Sequence, residues 1–257
     1  GFTSIKLLEQ INKFMNNGCY HIDCTYKIVK YCFPLIVFGF TDIQHQFFPV
    51  AFMFTSHEQE QDFSHFFDNF INICSMHKIN FEPKFIVTDA CKAVSNAIKS
   101  RFKEVNLLMC YFHLKMNIRK HKNLIPDQLY TETMKDITNL HNSTCAASYK
   151  LLLRGIMAKW KRNKMDDFIK YFNKQWLLSS FKNWQIFLTP AGYSHTNSPI
   201  ESYNNSIKTI ASAQVNDSAP AIASAQVNDS APLNDLEQVH LTNKPKKRGR
   251  PPLVKES

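Results

Sequence analysis

Between residues 19 and 56 the apolar and aromatic residues come in three blocks, CYHIDCTYKIV, PLIVFGFTD and FFPVAFMFTS. Each is rich in β-branched and aromatic side chains, and KYCFP and TDIQHQ punctuate them, so the pattern predicts an antiparallel meander of three strands. Ahead of it, TSIKLLEQINKF (3–14) has a helical period. Past residue 56 the period changes. Apolar residues at 63, 66, 67, 70, 71 and 74 mark one face of an amphipathic helix. KFIVTDA (84–90) reads as a short buried strand, CKAVSNAIKSRF as a second helix and VNLLMCYF as a fifth strand. The order βββαβαβ predicts a mixed α/β fold.

From about residue 114 to 188 the chain turns helical, polar and basic, with Trp160, Trp176 and Trp184 spaced along it. TNSPIESYNNSIK (196–208) reads as one more helix start. Beyond it the composition changes: IASAQVNDSAP occurs at 210–220 and again unchanged at 222–232. Two copies are too few for a solenoid, and small polar Pro-punctuated repeats bury little, so a flexible linker is expected. The predicted organisation is a helical lead-in (1–18), an α/β core (19–125), a helical insertion (126–190), a terminal helix (191–210), the duplicated linker (211–240) and a basic tail (241–257).

The chain has 257 residues, 44% hydrophobic with 21 Phe, which is ample for a packed core. Net charge sharpens the picture. Of a total of +10, the linker carries −4 and the tail +5, leaving +9 for residues 1–210. An acidic partner is expected, most simply nucleic acid. The seven cysteines are scattered and odd in number, and the start has no signal-peptide pattern, so a reducing compartment is expected. Starting at Gly1 rather than Met is expected of a piece of a longer protein. No apolar run reaches the ~18 residues of a membrane span.

Three acids stand out. Asp23 lies inside the first strand and Asp89 at the end of the fourth. Two carboxylates on neighbouring strands can hold Mg²⁺ or Mn²⁺, hard ions that take oxygen ligands, and such ions clamp the oxygens of a phosphodiester displacement. The residues leave simpler readings open: Asp89 as a helix cap, Asp23 paired with Lys27 or a nearby His. Glu201, in Ser198-Pro199-Ile200-Glu201, fits a capping box with Pro at the first helical position. Cys110 and His113 form a Cys-x-x-His pair, half of a Zn²⁺ site, and His141 with Cys145 is the nearest second pair. A buried thiol and a hydrogen-bonded imidazole are the alternative. Lys115, Arg119, Lys120 and Lys122 follow at helical spacing and suit phosphate contacts or a solvated face.

Taken in order, these blocks resemble the transposase domain of Mutator-like elements. The family has Asp-Gly-Thr-aromatic-Lys in its first strand, and Asp23-Cys24-Thr25-Tyr26-Lys27 stands here. A hydrophobic run ending in Thr-Asp matches FIVTDACKAV, the Cys-x-x-His marker matches Cys110 and His113, and a late Thr-Asn-Asn-x-x-Glu-Ser-aromatic-Asn block matches TNSPIESYNNSIK. Cys24 replaces the family's Gly, and Ser198 its second Asn. The resemblance spans about residues 19–208. It implies an RNase H-like, retroviral-integrase-like sheet flanked by helices, with a helical insertion before the last catalytic helix. It implies Asp23, Asp89 and Glu201 as a DDE triad and Mg²⁺ or Mn²⁺ as cofactor; Glu132 of the insertion is the candidate third acid if the carry-over fails at Glu201. It further implies cut-and-paste cleavage and transfer at an element's terminal repeats, a homo-oligomer and a nuclear location. A domesticated or decayed copy that binds DNA without catalysis is the alternative.

In the tail, KPKKRGRPP holds Arg248-Gly249-Arg250-Pro251 and resembles an AT-hook. Gly lets the backbone lie in the narrow A·T minor groove while the flanking Arg side chains run along its negative floor. A nuclear-localisation run is the competing reading.

Overall fold

The computed structural model describes residues 1–14, 18–26, 28 and 33–217. The elements run α1 (Ile5–Phe14), β1 (Cys19–Thr25), β2 (Leu35–Thr41), β3 (Phe47–Phe54), α2 (Glu60–Met76), β4 (Phe85–Thr88), α3 (Lys92–Arg101) and β5 (Asn106–Met109). They continue through α4 (Tyr111–Lys120), α5 (Asp127–His141), α6 (Ala146–Arg162), α7 (Asp166–Phe172) and α8 (Ser198–Asp217). The predicted βββαβαβ order is the observed one.

The strands form one mixed sheet in the order β3-β2-β1-β4-β5. β1, β2 and β3 pair antiparallel, as the meander pattern predicts, while β4 joins β1 in parallel and β5 joins β4 in parallel. The register between β2 and β3 shifts at Gly39, where a Cβ would collide with the Phe48 carbonyl and the Phe47 ring. Both sheet edges are partly covered: Phe2 bridges to Phe52 on β3, and the backbone of Asn183 accepts the Met109 N–H of β5 at 2.8 Å.

Strand alternation gives the sheet two different faces. Tyr20, Ile22, Ile36, Phe38 and Phe40 point to the side where α2 and α3 pack with Phe63, Phe66, Phe67, Phe70, Ala97 and Ile98. This core is largely aromatic: Phe38 lies within 6.0 Å, centroid to centroid, of Tyr20, Phe66, Phe67, Phe70 and Phe81. Cys19, His21 and Asp23 point to the other side, where Leu35 and Val37 meet Ile200 of α8. The helical insertion has its own core, in which Trp160, Trp176 and Trp184 pack with Phe168, Phe172, Leu114 and Ile118.

Two boundaries differ from the sequence pattern. β5 stops at Met109, and Cys110 already precedes α4, so the Cys-x-x-His pair starts a helix and does not end a strand. α8 runs on to Asp217, taking in the first seven residues of the expected linker. The first repeat copy opens with Ala, Ser and Gln, which a helix already under way extends at little cost. The second copy and the tail, with Arg248, Gly249, Arg250 and Pro251, lie outside the described residues, as does Lys27. Among the described residues no helix is long and apolar enough to cross a membrane.

Candidate active site

β1 and β4 pair with Cys19 opposite Phe85 and His21 opposite Val87. The same offset brings Asp23 level with Asp89, one residue past the end of β4. Level residues on neighbouring parallel strands share a face, so the two carboxylates converge from adjacent strands. Asp89 accepts a hydrogen bond from the Cys91 N–H at 3.2 Å on its Oδ1. Cys91 is itself the residue that precedes α3, so Asp89 shapes the turn and does not cap the helix.

Glu201 arrives from α8. The Glu201 N–H bonds the Asn197 carbonyl at 2.9 Å, which makes Asn197, and not Ser198, the residue that starts the helix. Glu201 is then one position too far along for a capping box, and its Oε1 is buried without a hydrogen bond. Instead Oε1 faces His113 Nδ1 at 3.5 Å. That separation is beyond a good hydrogen bond, so the contact is an electrostatic one.

The three acids feel one another. Burial pushes Asp23 up to about 7, and the nearby Asp89 and Glu201 carboxylates add to the shift, against a 2.8 Å hydrogen bond from Asn204 Nδ2. Burial likewise raises Glu201, with His113 opposing and Asp89 reinforcing. Among the described residues no Lys or Arg pairs with any of the three. Asp23, Asp89 and His113 line a cleft of about 310 Å³, together with Cys24, Tyr26 and Glu58.

Several residues at this site carried no sequence signal. Asn197 is fully buried: its Nδ2 donates to the Ile22 carbonyl at 3.3 Å and its Oδ1 accepts from His21 Nδ1 at 3.0 Å. His21 Nε2 then accepts from the Thr41 hydroxyl at 3.0 Å, and burial holds the ring neutral by lowering it to about 4. This clamp ties the start of α8 to β1 and β2. Asn204, one turn past Glu201, reaches Asp23 itself. Glu58, in the connection between β3 and α2, lines the same cleft as Tyr26 and Cys24, whose hydroxyl and thiol are kept neutral by burial and by that nearby carboxylate. Each contact joins residues far apart in the chain. Only the block of Asn and Ser around Glu201 hinted at them.

The zinc set of Cys110, His113, His141 and Cys145 does not come together. His141 stacks on Tyr111 at 3.6 Å and its Nδ1 bonds the Trp184 carbonyl at 2.5 Å. Cys145 is the exposed cap of α6, bonded to Ser148. Both are used by the core and helix ends of the insertion. Among the described residues, the group of His, Cys and acid ligands that does converge is Cys110, His113 and Glu201, with ligand atoms within 4.8 Å of one another. Glu132 pairs with Lys159 at 3.1 Å on the insertion. Of the four cations, Lys115 lies half-buried over the Tyr111 ring at 4.9 Å, while Arg119, Lys120 and Lys122 are exposed.

The mixed sheet carries acids on its first strand and at the end of its fourth, and the late helix α8 that packs on it carries a third. Residues 19–117 match the family model of the MULE transposase domain, so this stretch is similar to a transposase domain. A transposase domain implies DNA binding. No curated protein matches the chain.

Proposed function

We propose that the chain is a DDE-type DNA transposase of the Mutator-like class, with Asp23, Asp89 and Glu201 as its catalytic acids and Mg²⁺ or Mn²⁺ as its cofactor. The sheet order β3-β2-β1-β4-β5, with a meander followed by two parallel strands, supports an RNase H-like fold. The observation that carries the reading is the register of β1 and β4, which sets Asp23 level with Asp89, together with the 2.8 Å bond from Asn204 of α8, one turn past Glu201, to Asp23.

The donor set fits a hard divalent ion: the carboxylates of Asp23 and Asp89 line the cleft, and Glu201 Oε1, behind His113, is buried and without a hydrogen bond. When bound, such an ion supplies Lewis-acid activation of the attacking oxygen and charge stabilisation on the phosphodiester. The protein's own part is placement. β1 and the end of β4 fix Asp23 and Asp89 side by side, and the His21–Asn197 clamp fixes the start of α8 and so the approach of Glu201. Asn204 donates to Asp23 Oδ2 and so fixes the Asp23 carboxylate. Exposed Arg119, Lys120 and Lys122 supply phosphate contacts that orient DNA. Arg248, Gly249, Arg250 and Pro251 serve as an AT-hook on A·T-rich minor groove, in a nuclear protein acting as a homo-oligomer.

The test is nicking of a terminal-repeat duplex by the full chain with Mn²⁺. Glu201→Gln and Asp23→Asn should each abolish it while leaving DNA binding in place. Nicking retained in Glu201→Gln would remove that residue from the site, and a parent chain that binds DNA yet never nicks would leave a DNA-binding function without catalysis.

A further inference from the structure

The Cys-x-x-His pair is not used by the three-acid chemistry, yet it sits against it. Cys110 is fully buried, and its N–H donates to the Thr88 carbonyl at 2.8 Å, at the last residue of β4 before Asp89. Its Sγ accepts the Asn197 N–H at 3.1 Å. Asn197 is the residue that starts α8 and is tied by its side chain to β1, next to Asp23. One thiol therefore joins the end of β4, the start of α4 and the start of α8. One turn along α4, His113 places Nδ1 3.5 Å from Glu201 Oε1, one turn into α8. Both atoms are shielded from solvent and neither makes a hydrogen bond.

We propose that Cys110 and His113 are positioning residues for Glu201: the thiol fixes where α8 begins, and the imidazole holds the Glu201 carboxylate at the edge of the Asp23–Asp89 cleft. This rests on the three-acid reading above. A soft-metal site of Cys110, His113 and Glu201 is the competing use of the same atoms. It is disfavoured because Cys110 Sγ already takes the Asn197 N–H. It would also take Glu201 away from the two aspartates.

The experiment is a Mn²⁺ titration of the full chain, followed by electron paramagnetic resonance, on the parent and on Asp23→Asn, Cys110→Ala, Cys110→Ser, His113→Ala and His113→Asn. Removing a group that orients a metal ligand typically weakens binding about 10-fold or more, and that loss is expected for both Ala variants. Ser keeps an acceptor for the Asn197 N–H, and Asn keeps an amide near the position of Nδ1, so both should recover most of the affinity. Circular dichroism and DNA binding report folding separately, and the partly exposed His113 can be changed even if Cys110→Ala fails to fold. Loss of Mn²⁺ binding in Asp23→Asn with parent-like affinity in both Ala variants would overturn this inference alone. A parent that binds no Mn²⁺ would overturn the three-acid reading and this inference with it. A zinc ion that co-purifies with the chain, depends on Cys110 and His113 and blocks Mn²⁺ would assign the pair to metal binding instead.

Discussion

Replacing Asp23 by Asn should stabilise the protein in the absence of divalent cations, increasingly as pH rises from about 4 and in full above about 7. Asp23 is held at about 7 in the fold against an ordinary 3.8, because it is buried and faces Asp89 and Glu201. That shift of roughly three units corresponds to a ceiling of about 4 kcal/mol against folding once Asp23 is ionised. Partial access of water to the cleft discounts it to about 2 kcal/mol. The sign follows from proton uptake. Between the two values the folded chain keeps a proton that the unfolded chain releases, so stability falls as pH rises from 3.8 towards 7 and is level above it. The Asp23→Asn side chain carries no such penalty and can still accept from Asn204. Thermal melts in EDTA should show the gap between the Asp23→Asn variant and the parent opening across that window, reaching about 4–8 °C for a domain of this size. Mn²⁺ should close the gap by raising the parent alone. A variant that is no more stable than the parent above neutrality, or a gap that does not change with pH, would refute the argument.

Other perturbations probe the frame and the surfaces. Phe38→Ala empties the centre of the aromatic cluster between the sheet and α2 and should cost about 3–5 kcal/mol in urea unfolding. Asp136→Ala strips the acceptor from the buried Trp160 Nε1, bonded at 2.9 Å, and the partner from Lys159, and should cost about 2–3 kcal/mol in the same assay. Truncating residues 241–257 should weaken binding to A·T-rich duplex most, and should flatten the salt dependence by about 0.9 in log–log slope for each phosphate that the tail neutralises.

Much of the frame was legible because local pattern and global fold agree. The three aromatic blocks became β1, β2 and β3, and the face at 63, 66, 67, 70 and 74 became the buried side of α2. Asp89 was legible from its place after FIVT. Glu201 was ambiguous because Ser198-x-x-Glu201 satisfies the capping-box spacing, and only the true helix start, fixed by Asn197, removes that role. His21, Asn197 and Asn204 were not legible: their hydrogen bonds join β1 to the start of α8, across 176 and 181 positions, and no local rule predicts such pairs. The zinc set failed for the opposite reason. His141 and Cys145 have the right spacing, but spacing alone does not show that Trp184 and Ser148 claim them.

The most direct test of the account is a crystal of the full chain soaked in Mn²⁺ and measured at the manganese edge. The account predicts anomalous density at the carboxylates of Asp23 and Asp89, with Glu201 still held against His113 and its carboxylate reaching the ion. Density confined to Cys110, His113 and Glu201, or none at the two aspartates while Mn²⁺-dependent nicking persists in solution, would contradict it.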